Sequence, residues 1–170
     1  MEKNFRLQLG KICLSLLSIA VVGKACATEP LHDQYVVGAE RGWIFPSECC
    51  WMKLPSSERL IALKKAEVGC SAIGGPVGKF KLDSGKLWLT GLLTCGGEIS
   101  LLDVFPDLES PALASWLTGT FKTQIGFLCY DSSAGPIYSL RQVLTVELGV
   151  VTALSDTKND TSACSKDTGR

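Results

Sequence analysis

Six cysteines placed after an export-type leader constrain this fold more than any other feature of the chain: Cys49, Cys50, Cys70, Cys95, Cys129 and Cys164. An even number of cysteines in an exported protein ordinarily marks a disulfide framework, because the periplasm and the extracellular space favour oxidation. A bond between the adjacent Cys49 and Cys50 would close a strained ring, so the two point to different partners. In an extended segment their side chains leave opposite faces and staple that segment to two neighbours at once. Each bridge is expected to add about 2–4 kcal/mol, largely by restricting the unfolded chain. The functional alternative, a redox-active vicinal pair, lacks the two-residue spacer common at such sites. Zinc is disfavoured too, since His32 is the sole histidine and Cys70, Cys95 and Cys129 are too scattered to form ligand pairs. No metal or cofactor is expected.

The export reading rests on residues 1–27. Basic Lys3, Arg6 and Lys11 precede an apolar run from Ile12 to Val22, and Ala25-Cys26-Ala27 has the small-x-small form of a cleavage site. Such a run covers only about 16 Å as a helix, against roughly 30 Å of hydrocarbon, so no transmembrane span is expected in the mature chain. The compartment is periplasmic or extracellular. In the alternative, Cys26 is acylated and anchors an envelope lipoprotein, although Gly23 and Lys24 stand where such a site wants small and branched apolar residues.

Cleavage changes the charge. The leader carries four of the 17 basic residues and one of the 17 acidic ones, which leaves the mature protein net acidic. That balance offers no counterion-release drive towards nucleic acid. Lys79, Lys81 and Lys86 are the densest basic stretch, and they read as a solvated strand face. Residues 28–154 suit one domain, which at this size buries roughly 68% of its unfolded surface. The polar tail 155–170 would be disordered but for Cys164, best explained as a bridge back to the body.

Along the chain, 28–42 reads as a loose lead-in or edge strand around Val36-Val37. Pro55-Ser56-Ser57-Glu58 predicts a serine-capped helix over 57–68, stopped at Gly69. Phe80 and Leu82, then Leu87 and Leu89, alternate with polar residues about Asp83-Ser84-Gly85, which predicts a hairpin. Gly78-Lys79 is followed by Phe80 rather than Ser or Thr, so the glycine-rich stretch before it is no phosphate cradle. Residues 98–105 alternate poorly. Ser110-Pro111 looks like a cap with proline at the first helical position, predicting a short helix over 111–117. Thr118 to Tyr130 and Ile137 to Leu148 read as strands, Leu140, Leu144, Val146 and Leu148 being in step and Gln142 the exception. Val150 to Leu154 reads as a short return strand.

Trp88-Leu89-Thr90-Gly91 recurs as Trp116-Leu117-Thr118-Gly119, too little to establish a repeat. Trp43, Trp51, Trp88 and Trp116 could form an aromatic binding surface, against the plainer reading that they pack the core. Catalytic groups are few. No GxSxG or HExxH occurs, and a triad would have to recruit His32 from the lead-in. Glu98, Asp103, Asp107 and Glu109 could supply two acids about 5–9.5 Å apart for a small secreted hydrolase; in the plainer reading they face solvent or favour a helix start.

The sequence therefore predicts an exported, disulfide-stapled α+β domain of mainly antiparallel sheet, a curved sheet or partly open barrel, with one or two short helices. Its expected role is that of a non-enzymatic binding or interaction protein: an inhibitor, an immunity factor or an envelope-assembly accessory. The partner would be another protein or an envelope component.

Overall fold

The computed structural model describes residues 31–48, 51–67, 75–131 and 135–160, with 162 and 164. The leader, the Cys26 alternative and the pairing of Cys49, Cys50 and Cys70 lie outside the described residues.

Period-two alternation builds the hairpin that the sequence predicts about Asp83-Ser84-Gly85. Strand β3 (Val77–Asp83) turns through Ser84-Gly85, both at positive φ, into β4 (Lys86–Thr94), and Phe80, Leu87 and Leu89 turn inward with no solvent exposure. A two-residue turn of that shape matches the twist of the strands it joins. The lead-in is not an edge. Strand β1 (Gln34–Val37) lies inside the sheet, antiparallel to β2 (Glu40–Pro46) and parallel to β3. Beyond β2 follow β7 (Gly119–Asp131), β8 (Gly135–Glu147) and β9 (Val150–Lys158), all antiparallel.

The order β3-β1-β2-β7-β8-β9-β4, with β3 also paired to β4, makes the sheet ring-like. Its last seam is narrow: β9 meets β4 only at Val150 opposite Lys86, flanked by bonds from Leu87 N–H to the Gly149 carbonyl and from Val151 N–H to the Gly85 carbonyl. From there β9 diverges, and residues 152–158 are exposed. Leu148, expected in step with the strand, occupies the β8–β9 turn at positive φ and is exposed. The return strand runs on to Lys158. Cys129 of β7 is bonded to Cys164, so the tail is bridged to the body, and Cys95 is also disulfide-bonded.

Helix α1 (Glu58–Ala66) starts as the sequence predicts, the Ser57 hydroxyl accepting the Leu60 N–H at 3.0 Å, with Glu58 in its first turn and Lys64 and Lys65 in its last. The helix expected over 111–117 is absent. Ala112 and Ala114 are buried two residues apart, which is strand spacing, and β6 (Ala112–Leu113) pairs with Trp88 and Leu89 while Ala114 N–H donates to the Leu87 carbonyl. Backbone hydrogen bonding to the flank of β4 outweighs the proline signal. The second helix is instead α2 (Leu101–Val104), after the short β5 (Gly97–Ile99). Leu101, Val104 and Phe105 bury at helical spacing there.

The ring encloses Tyr35, Ile44, Phe80, Leu89, Ile125 and Leu144, all fully buried. Each contributes about 1.5–3 kcal/mol of burial. A polar path crosses this interior. Gln142 takes the Tyr35 hydroxyl on its carbonyl at 3.2 Å and donates its amide to Asp156 at 3.1 Å, which is why an amide stands on the inward face of β8. Burial, aided by the Asp156 charge, pushes the Tyr35 hydroxyl above its usual range. No helix among the described residues is long and apolar enough to cross a membrane.

Candidate functional site

Because Tyr35, Ile44 and Phe80 point inward, their neighbours along each strand point outward. Gln34 and Val36 of β1, Arg41 and Trp43 of β2, and Lys79 and Lys81 of β3 thus share one outer face. With Tyr35 and Gly42 of the same strands, Thr90 of β4, and Gly126, Phe127 and Tyr138 of the β7–β8 hairpin, they line a cavity of about 430 Å³. Register fixes the neighbours: Gln34 stands opposite both Trp43 and Lys79, and Val36 opposite Arg41 and Lys81.

Two glycines permit this shape. A Cβ at Gly42 would collide with the Gln124 carbonyl, and Gly126, at φ +63°, lies so close to Ser139 that a Cβ would strike its hydroxyl. Beyond Gly126 the ladder shifts register between Phe127 and Cys129. Phe127 and Tyr138 meet edge to face at 5.9 Å; Tyr138 is buried, but Phe127 remains 61% exposed. His32 packs edge-on against Trp43 at 5.7 Å and Phe45 at 5.5 Å, so the lone histidine orients an aromatic wall.

The wall is cationic. Lys79 Nζ lies 2.6 Å from Glu98 of β5, Lys81 Nζ lies 3.6 Å from Asp83, and among the described residues Arg41 has no carboxylate partner. The Thr90 hydroxyl donates to the Lys79 carbonyl at 2.9 Å. Glu40 stands beside Gly126 at the rim. None of the lining residues is a carboxylate, imidazole or thiol.

Behind this wall, Asp33 fixes the spacing of β1 and β3. The buried carboxylate accepts the Met52 N–H and the Gly78 N–H, each at 2.6 Å. Burial pushes its pKa up to about 6, against the lowering effect of those two backbone donors.

Of the four tryptophans, Trp43 alone lines the cavity. Trp51 donates its indole N–H to the Leu31 carbonyl and Trp116 to that of Lys53, while Trp88 lies opposite Lys81 and Leu113. The four acids of the candidate cluster are all exposed: Glu98 is ion-paired to Lys79, Asp103 lies in α2, and Asp107 and Glu109 follow it. No group of three histidine, cysteine or carboxylate side chains able to hold a metal occurs among the described residues. Arg41, Lys79, Lys81, Phe127 and Tyr138 escaped sequence reasoning as site residues. Alternation in 79–82 signals that the lysines share a face, but no pattern in the sequence brings β2 and the distant β7–β8 hairpin to that face. No protein-family model, curated protein or solved structure matches the chain.

Proposed function

We propose that this is an exported, non-enzymatic binding protein, and that its ligand or partner is taken by the outer-face cavity. We read the ring-like sheet as a partly open barrel serving as a rigid, disulfide-held scaffold. The observation that carries the reading is the make-up of the cavity wall. Three cations, an amide and aromatic faces converge on a space in the volume range of ligand sites, with none of the carboxylate, imidazole or thiol groups on which hydrolytic acid–base or nucleophilic chemistry usually depends. An inhibitor, an immunity factor or an envelope-assembly accessory would all use such a surface. Export would suit the oxidised state of Cys95, Cys129 and Cys164.

Photo-crosslinking tests this in the native host. A benzophenone amino acid replacing Trp43 should yield a discrete adduct in the envelope or medium, and the same probe at Asp107 should not. Equal labelling at both positions, or none at Trp43, would overturn the reading.

A further inference from the structure

Resting on the cavity as the binding site, we propose that it takes a small amphipathic anion, with the acidic group on Arg41 and Lys79 and the apolar body against Trp43 and Phe127. Four observations converge on that class. Arg41 has no carboxylate partner among the described residues, so a planar fork suited to a carboxylate or sulfonate is available. Lys79 is only 23% exposed, so a charge there is less screened than at the open surface. Phe127 leaves an apolar face in solvent beside the cations. The strands forming the floor, β1 and β2, are paired on both sides, so an extended peptide finds no free backbone donors or acceptors to add to. A polyanion would in addition meet Glu40, Asp83 and Glu98 around the rim.

Glu98 then has a definite part. With the cavity empty it neutralises Lys79, and an incoming anion must displace it. The protein carries its own competitor, an exposed carboxylate on the short strand β5 whose attraction for Lys79 is modest in water.

The test uses 2-naphthoate and its neutral counterpart 2-naphthamide, titrated calorimetrically into the full disulfide-bonded protein at low salt. Naphthoate should bind at least about tenfold more tightly than the amide, the value of one charge-assisted hydrogen bond. Arg41→Ala should cut that preference several-fold, to what Lys79 alone supplies. Glu98→Gln should strengthen naphthoate binding about three- to tenfold and leave the amide unchanged, and added salt should weaken naphthoate alone. Circular dichroism of each variant shows whether the fold persists; both substitutions lie on the exposed outer face. Equal affinity for the two probes, lost together in Trp43→Ala, would overturn the anion assignment and leave the binding-protein reading standing. So would weaker naphthoate binding in Glu98→Gln. Failure of both probes to bind overturns the assignment as well, whereas the binding-protein reading falls with the Trp43 crosslink.

Discussion

Asp33→Asn should change the pH dependence of stability in a window set by one buried carboxyl. The carboxyl titrates near 3.8 when unfolded and near 6 when folded, because burial disfavours its charge more than the Met52 and Gly78 N–H groups favour it. A folded pKa raised in this way means that the native state binds the extra proton. The resulting stability is fully present below about pH 4 and is lost as pH rises through about 6. A difference of roughly two units corresponds to about 3 kcal/mol. Asparagine cannot titrate, and it presents an acceptor to one backbone N–H but a donor to the other, a loss of about 1–3 kcal/mol. At pH 4, where the wild-type carboxyl is protonated but its hydroxyl oxygen can still accept, the variant should be less stable by that amount, and wild type minus variant should fall by about 3 kcal/mol by pH 7, to zero or below. Urea unfolding followed by tryptophan fluorescence, disulfides intact, at half-unit steps from pH 4 to 7.5 measures that gap. Other carboxylates titrate in both proteins and cancel in the difference. Parallel stability curves, or a wild-type-minus-variant difference that rises with pH, would refute the linkage.

Replacing Cys129 and Cys164 by serine opens a loop with a sequence separation of 35 residues and should cost about 2–4 kcal/mol in the same denaturation assay. Gln142→Leu strands the Tyr35 hydroxyl inside the ring and should destabilise by about 1–3 kcal/mol, and Tyr35→Phe in that background should recover part of the loss. Gly42→Ala pushes a methyl group into the β7 backbone and should lower the melting temperature by several degrees, whereas Thr90→Ala, at an exposed position, should move it little. Ser57→Ala removes the cap of α1 and should cost about 1 kcal/mol, visible as faster hydrogen exchange in residues 58–66.

What the sequence disclosed was local. The Ser57 cap, the β3–β4 hairpin and the long β7 and β8 strands follow from short patterns whose energetics lie within a few residues. The missed helix over 111–117 and the exception at Gln142 both fall where a distant strand decides. Pro111 favours a helix only until Ala112 finds Leu89, and Gln142 breaks an apolar rhythm only until Tyr35, 107 positions away, supplies its hydroxyl. The cavity was least legible for the same reason. Arg41 and Lys79 are 38 residues apart in sequence, and what joins them is a parallel pairing that no turn encodes.

That pairing explains why a buried carboxylate stands at position 33 at all. The β1–β3 ladder has four register pairs and no connecting hairpin, so a slip of one residue would turn Lys79 and Lys81 inward and Phe80 out. The Asp33 side chain bridges the start of β1 to Gly78, immediately before Lys79, while the Asp33 carbonyl takes the Ile44 N–H next to Trp43. One residue thereby sets β1 against both strands that carry the cationic and aromatic walls. Its carboxyl remains charged above about pH 6 at an energetic cost, and in exchange it offers two strong acceptors, where a neutral amide offers one. Above that pH the charged carboxyl can accept both backbone N–H groups, while the stability linked to its proton is lost.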